Sequence, residues 1–278
     1  MELDKPLISV LMAAFNVGDT AVLDQAVTSI VQQDMDDWEL LICDDGSTDG
    51  TYARALEWEK RDNRIHVLRN DRNQKAAKAR NRCLMNARGR YIAIMDADDM
   101  CSPNRLRIQS GFLDTHPQFN FVGIRGERFQ KAPGDMEKPY WFCAVPQRED
   151  FLMTLPFVHA SLMFRREALF SVDGYDESSR VERSEDYDML LRMYAEGMRG
   201  ANIAEAVYYI REDEKTFHRR KYRYRLKETA VKLKGFSRLH LMPRGVVYAI
   251  KPLVVGLLPT RFLEWLKGRY YGRRMERL

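Results

Sequence analysis

Cysteine is scarce and scattered: Cys43, Cys83, Cys101 and Cys143 stand far apart in a chain of 278 residues. No pair has the spacing of a zinc site or a redox motif, and nothing resembles a disulfide framework. This usage fits a reducing compartment. Long apolar runs are also missing. Residues 244–258 are apolar apart from Arg244 and Lys251, but they hold Pro252 and two glycines. The run is shorter than the roughly 20 apolar residues a membrane-crossing helix needs. The opening Met1-Glu2-Leu3-Asp4-Lys5-Pro6 lacks the basic and apolar regions of a secretory signal. These absences leave a soluble globular protein of one large domain or two small ones, with ordinary apolar content for a core.

Charge is distributed unevenly. Residues 215–278 carry 18 Lys and Arg against three Glu, about +15. The rest of the chain carries 27 basic and 37 acidic residues. An acidic body with a basic tail predicts an anionic partner for the tail. Within it, His218-Arg219-Arg220-Lys221-Tyr222-Arg223-Tyr224-Arg225 interleaves bases with aromatics, and Phe262, Trp265, Tyr270 and Tyr271 stand among Arg and Lys further on. Basic residues, a modest apolar run and aromatics together describe a helical segment lying on an anionic membrane surface. The division expected is therefore an acidic body, 1–214, and a basic amphipathic tail, 215–278. The same interleaving would suit RNA or single strands, but the apolar stretch 245–258 favours lipid, and no nucleic-acid partner is expected.

The body alternates. Residues 7–15 read as a buried strand, and 20–33 as a helix with Leu23, Val27, Ile30 and Val31 on one face. Residues 39–43 are a second strand, followed by an amphipathic segment through Ala53, Leu56 and Trp58. A third strand spans 65–68, a helix spans 76–87, and 91–95 is a fourth strand. This β-α-β-α-β-α-β order implies a mostly parallel sheet flanked by helices. Beyond it, helix is expected at 103–115, strands at 119–124, 160–164 and 206–210, and a short helix at 167–172. Residues 126–148 read as a surface excursion. Ser184 is a candidate N-cap that places Glu185 and Asp186 in a first helical turn, where acids also suit the helix dipole.

Two strands run into carboxylates: the second into Asp44-Asp45-Gly46-Ser47-Thr48-Asp49-Gly50, the fourth into Asp96-Ala97-Asp98-Asp99. Open α/β sheets place ligands at such C-terminal ends. Three like charges in four residues repel, and a divalent cation bridging to phosphate resolves the repulsion. The bland alternative is an acidic turn before the helix that Ser102-Pro103 begins.

Taken together, the motifs Val10-Leu11-Met12-Ala13-Ala14-Phe15-Asn16, Asp44-Asp45-Gly46-Ser47-Thr48-Asp49, Ala79-Arg80-Asn81, Asp96-Ala97-Asp98-Asp99, Phe164-Arg165-Arg166 and Glu185-Asp186-Tyr187-Asp188 resemble, in that order, the inverting GT-A glycosyltransferases of family 2. The likeness covers roughly residues 6–215. It implies a Rossmann-like GT-A fold and transfer of a sugar from a nucleotide-diphosphate donor, a UDP-sugar foremost, to a hydroxyl of a glycan or polyprenyl-linked acceptor. The setting it implies is surface-glycan synthesis at the inner face of the cytoplasmic membrane. Residue by residue, it puts Ala13 and Phe15 beside the nucleobase, Asp45 on a base N–H, Asp96 near the ribose, and Asp98 with Asp99 on Mn²⁺ or Mg²⁺. Asp186 becomes the general base, and Glu185 helps to hold the acceptor. Two positions depart from the family pattern. The loop before Ala79-Arg80-Asn81 carries Lys75 and Ala77 where relatives often have glycine and serine, and Lys75 is a candidate for contact with the nucleotide. After the last strand, Tyr209-Ile210-Arg211-Glu212 stands where many relatives have histidine. A sugar-nucleotidyltransferase would share the layout, but the segment Ala13-Ala14-Phe15-Asn16-Val17-Gly18 is not its glycine-rich basic phosphate loop.

Overall fold

The computed structural model describes residues 5–136, 142–212 and 222–257. The first half forms as the alternation predicts: β1 (Ile8–Ala14), α1 (Thr20–Val31), β2 (Trp38–Asp44), α2 (Thr51–Arg61), β3 (Ile65–Arg69), α3 (Ala76–Asn86) and β4 (Tyr91–Asp96). Then come β5 (Met100–Cys101), α4 (Arg105–Thr115), β6 (Phe121–Phe129), β7 (Met163–Arg165), α5 (Arg166–Ser171), α6 (Glu185–Ala195), β8 (Gly200–Arg211), α7 (Tyr222–Arg238) and α8 (Gly245–Leu257). The strands make one sheet in the order β3-β2-β1-β4-β7-β6-β8-β5. Apolar side chains fill both faces of β1, β2 and β4, which explains their unbroken apolar sequences.

β1 lies between β2 and β4, parallel to both. The chain winds outward from β1 to β3, then returns to place β4 on the other side of β1. Such a reversal opens a crevice at the strands' C-terminal ends. The register puts Ala13 beside Cys43 and Asp96, and Ala14 beside Asp44.

Beyond β4 the sheet becomes mixed, since β7 runs antiparallel to both β4 and β6. The strand expected at 160–164 is only β7, preceded by a 3-10 turn at His159–Ser161. The reason is polar. Arg105, fully buried, donates from Nη2 to the carbonyls of Ile94 (2.7 Å) and Ala160 (3.3 Å). Gln109 Nε2 donates to the carbonyls of Val122 (2.8 Å) and Ser161 (2.9 Å). These two side chains of α4 replace a ladder between strands, a substitution that an apolar run does not reveal. β6 and β8 are longer than expected, and the excursion assigned to 126–148 starts inside β6. β8 reaches back to the crevice and delivers Tyr208 and Arg211.

The tail of the described chain does not stand apart. Gly235 of α7 packs against Leu191 of α6, and Phe236, Leu239, Leu241 and Ala249 join the core cluster that contains α6. The change at residue 215 is therefore a boundary in composition, not in packing. The basic residues 218–221 and the aromatics at 262–271 lie outside the described residues.

Replacement of Arg105 by Met removes the donors to two buried carbonyls, at about 1–3 kcal/mol for each acceptor left unsatisfied. Arg105→Met is expected to lower folding stability by about 2–4 kcal/mol. Urea denaturation of the purified variant measures this, and an unchanged midpoint would contradict the role given to Arg105.

Candidate active site

The wall nearest β1 is knitted from two loops. The Asn16 amide donates to Ser47 Oγ (3.0 Å), and Asn16 Oδ1 accepts from the Thr48 amide (2.9 Å). The Val17 amide reaches Thr51 Oγ1 (3.0 Å), and the Gly18 amide reaches Asp49 Oδ2 (3.0 Å). Gly46 is needed for a steric reason: its φ is +72°, and a Cβ there would stand 2.6 Å from the Arg72 backbone. The acid-and-hydroxyl motif after β2 thus fastens the β1–α1 loop, leaving Phe15 exposed at the rim and Ala13 half-buried.

Asp45, expected at the base, turns inward here. It is 2% exposed, and its carboxylate faces the chain. Oδ1 accepts from Asn70 Nδ2 (2.7 Å) and the Gln74 amide (2.9 Å), and Oδ2 accepts from the Lys75 amide (2.8 Å). A nucleobase N–H would compete with these donors, so in this arrangement Asp45 organises the 70–75 loop. Lys75 is the price of that loop, with φ 76° and ψ 161°. This region is essentially restricted to glycine, which accounts for the glycine often found here in relatives. Its side chain is exposed.

The acids after β4 point in different directions. Asp96 Oδ1 accepts from Arg80 Nη2 at 2.7 Å, and the Asp96 amide donates to Tyr208 Oη at 3.1 Å. Asp98 is exposed. Desolvation by the protein around it and then the Asp96 carboxylate push its pKa up to about 6, against the pull of Arg211 and Arg80. Asp99 is buried, and Oδ1 accepts from the Arg211 amide at 2.8 Å. Burial, then Asp98 and Asp96, hold its carboxyl well above the usual range. Of the two acids expected on the metal, Asp99 is buried and fastens β8, while Asp98 opens outward. Arg211, within the segment where many relatives have a histidine, donates from Nε to the Asp98 carbonyl (2.8 Å) and from Nη1 to the Gln130 carbonyl (3.2 Å).

Among the described residues, no three His, Cys, Asp or Glu side chains converge as a ready ligand set. The acids nonetheless fit an open site of the kind in which one or two carboxylates hold a hard cation and phosphate and water complete it. Asp98 is raised first by desolvation and then by Asp96, and a cation would offset both.

On the far side of Arg80 stands the first turn of α6. Asp186 Oδ1 accepts from the Tyr187 amide at 2.7 Å. Burial, then the adjacent Glu185, raise the Asp186 pKa to about 6, while Arg80 pulls it down. Glu185 Oε2 is buried and has no hydrogen-bond partner. Asp188, the last acid of the motif, pairs with Arg192 at 2.8 Å, and Arg192 Nη2 holds the Gly174 carbonyl at 2.7 Å. Asn81, next to Arg80, is bonded both ways to the backbone of Tyr175. His159 Nε2 lies 2.9 Å from Tyr175 Oη. Burial, then Arg80, depress the His159 pKa to about 3, so it is a neutral partner of the tyrosine. The loop before α6 is braced from α7: Lys227 Nζ meets Glu182 Oε2 at 2.7 Å, and Arg183, at φ 65°, lies 5.3 Å from the Tyr224 ring.

Arg80, Tyr175 and Arg211 are members of the site to which residue patterns assigned no role. Arg80 sits inside a quoted motif and Arg211 inside the segment noted as a departure from the family; Tyr175 has no sequence signal, because only the fold brings it to the crevice.

Glycine at position 75 would relieve about 1–3 kcal/mol of backbone strain and add about 0.5–1 kcal/mol of unfolded-state entropy. Lys75→Gly is therefore expected to match or exceed the parent in urea, by up to about 2 kcal/mol, and Lys75→Ala to gain nothing. A clear loss of stability in the glycine variant would show that φ 76° carries no strain.

The family model described as glycosyl transferase family 2 matches residues 9–171, and that of glycosyl transferase family group 2 matches residues 91–265. The chain is 33% identical over 281 residues to the putative glycosyltransferase EpsE of Bacillus subtilis, covering 97% of this chain and 95% of that one. It is 39% identical over 111 residues to the UDP-Glc:alpha-D-GlcNAc-diphosphoundecaprenol beta-1,3-glucosyltransferase WfgD of Escherichia coli, covering 40% of this chain and 42% of WfgD. Among solved structures, S. aureus TarS 1–349 in complex with UDP superposes with a TM-score of 0.64 at 19% identity, over 93% of this chain and 77% of TarS. The mannosyltransferase PcManGT of Pyrobaculum calidifontis, in complex with GDP-Man and Mn²⁺, superposes with a TM-score of 0.62 at 17% identity, over 96% and 80%. The motifs, the mixed α/β sheet and a family match across more than half of the residues agree: the chain belongs to glycosyl transferase family 2 and is a glycosyltransferase with the GT-A fold.

Proposed function

We propose that the chain transfers a sugar from a UDP-sugar to a hydroxyl of a glycan or polyprenyl-linked acceptor, with inversion, in surface-glycan synthesis. The observation that carries this reading is the cluster of carboxylates around Arg80: Asp96 paired with it at 2.7 Å, and Asp186 at the start of α6 under the influence of its charge. UDP in the TarS complex and the diphosphoundecaprenol acceptor in the name of WfgD support the two substrate classes.

Ala13 and Phe15 border the base, within a wall stiffened by Asp45 and the loop leading to Lys75. Lys75 adds an exposed positive charge at that wall, and Asp96 faces the ribose. Asp98 would hold Mn²⁺ or Mg²⁺, which supplies charge neutralisation for the departing diphosphate. Mn²⁺ in the PcManGT complex supports this choice. Asp99 keeps Asp98 in place through β8. Glu185 helps to seat the acceptor, and Asp186 takes the proton from its hydroxyl as the new bond forms. One carboxylate placed as a base favours single displacement; retention would require a second, nucleophilic group. With a pKa near 6, Asp186 is ionised at neutral pH and able to accept the proton.

Nucleoside diphosphate released from a panel of nucleotide-sugars with Mn²⁺ or Mg²⁺ tests the donor. Asp186→Asn is expected to lower transfer on the order of 10² to 10⁴-fold with little change in nucleotide affinity. Asp98→Asn is expected to remove the metal dependence of that affinity. The parent's transfer rate should fall as pH drops through about 6, where Asp186 becomes protonated. Normal transfer by the Asp186 variant, or unchanged metal dependence in the Asp98 variant, would refute the corresponding role.

The C-terminal helices bring the enzyme to the inner face of an anionic membrane. No helix among the described residues is long and apolar enough to cross one. α8 instead exposes Val247 (75%), Ile250 (39%), Val254 (55%) and Leu257 (74%) at helical spacing, with Arg244 and Lys251 also exposed. An apolar stripe flanked by bases suits an interfacial helix. The full chain is expected to float with phosphatidylglycerol vesicles at low salt, and a Val247→Glu, Val254→Glu variant to remain in the pellet. Equal flotation of both would remove α8 as the lipid contact.

A further inference from the structure

Three cations converge on one aromatic ring beside the start of α6. Arg183 Cζ lies 5.3 Å from the centroid of the Tyr224 ring, Arg223 Cζ 4.8 Å and Lys227 Nζ 5.6 Å. Arg223 Nη2 also donates to Tyr224 Oη at 2.7 Å. Like charges so close repel, and the face of a tyrosine offsets only part of that repulsion. One carboxylate stands among them, Glu182, which accepts from Lys227 Nζ at 2.7 Å. The next acid along α7, Glu228, pairs with Lys232. Both arginines are exposed, and among the described residues neither forms an ion pair. Arg183 moreover holds a φ of 65°, a conformation that is costly for any residue with a side chain. The cluster therefore presents two arginine charges that no acid of the described chain answers.

Its place in the fold suggests the anion. Arg183 stands three residues before Asp186, so their Cα atoms are at most about 11 Å apart. On its other side α7 is joined to α8, where Arg225 Nη1 donates to the Pro252 carbonyl at 3.1 Å. α8 carries the exposed apolar stripe. Along these contacts an apolar stripe, a cationic cluster and the acids of α6 succeed one another. We propose that Arg183 and Arg223, set by Tyr224 and Lys227, bind the diphosphate that joins a polyprenyl chain to the acceptor sugar. Guanidinium forks match phosphate oxygens and make strong charge-assisted hydrogen bonds with them. Two unanswered cations suit a doubly charged diphosphate better than the singly charged phosphodiester of a phospholipid. With the lipid end on α8 and the sugar at Glu185 and Asp186, the diphosphate between them falls at this cluster.

The proposal rests on the reading of the acceptor as polyprenyl-linked, but its test needs no transfer. Binding of farnesyl diphosphate to the full chain is measured by calorimetry in EDTA, which keeps metal-bound diphosphate off the donor side. The double variant Arg183→Gln, Arg223→Gln is expected to bind it about tenfold more weakly, or worse, through the lost charge-assisted hydrogen bonds. Lys60→Gln, Arg61→Gln removes the same charge from the last turn of α2 and is expected to bind as the parent does. Affinity for UDP with Mn²⁺ should be equal in all three proteins. Dihexanoyl phosphatidylglycerol at the same concentration should not displace farnesyl diphosphate. Four outcomes would each overturn the proposal. The parent may fail to bind farnesyl diphosphate, or the α2 variant may lose as much as the cluster variant. UDP affinity may fall in step, which would mark a damaged fold. Phosphatidylglycerol may displace the probe equally, which would make the cluster a headgroup contact. The donor screen and the transfer rate of Asp186→Asn test the underlying reading without this site, so the two failures are distinguishable.

Discussion

Repulsion among carboxylates is the constraint around which the crevice is built. Asp96, Asp98 and Asp99 follow β4, and Glu185 and Asp186 open α6. Left uncompensated, that much negative charge in a partly desolvated cleft would drive protons onto the acids, and Asp98, Asp99 and Asp186 are all displaced upward. The protein answers with fixed partners from distant parts of the chain: Arg80 on α3, the Arg211 amide and side chain on β8, and the Tyr187 amide on α6. Two answers are left to the substrate, a cation at Asp98 and a proton for Asp186. The electrostatics therefore suit the proposed reaction, in which a diphosphate would leave beside Asp98 and Asp186 would accept a proton.

The scaffold that allows this is rigid where the charges are not. Buried polar groups in the sheet are paired in place of being avoided. Glu39, 2% exposed, accepts from Ser9 Oγ (2.6 Å), the Arg88 amide (2.8 Å) and Arg88 Nε (2.8 Å) at the end of the sheet opposite the crevice. Arg105 and Gln109 do the same for the carbonyls where the parallel half meets β7. These networks fix β4 between β1 and β7, and β4 aims Asp96.

Apolar runs made the parallel half of the sheet legible, because strands buried on both faces leave no polar interruption. The order of β1 to β4 and the convergence of their C-terminal ends follow from that alone. The mixed half was less legible. The run Ala160-Ser161-Leu162-Met163-Phe164 is as apolar as a strand, yet Arg105 and Gln109 take its first carbonyls and hold them in a turn. Acid positions were legible, but acid directions were not: Asp99 stands beside the exposed Asp98 in sequence, and only backbone amides from 74, 75 and 211 show that Asp45 and Asp99 face inward. The glycine missing at Lys75 was visible as a departure, but only the structure shows that the backbone there keeps a conformation that favours glycine. The tail's composition pointed to lipid; its packing against α6 was hidden, because the apolar residues that dock α7 are spread among Lys and Arg.

That packing has a consequence for how such enzymes diversify. Arg183 is held in a left-handed conformation directly before Glu185-Asp186, and its brace is Tyr224 with the Lys227–Glu182 pair. The segment that leads into α6 is thus shaped partly by α7. Exchange of everything after residue 215 for another sequence would replace the brace of that segment as well as the tail's outer face, so the tail and the loop before α6 are obliged to change together.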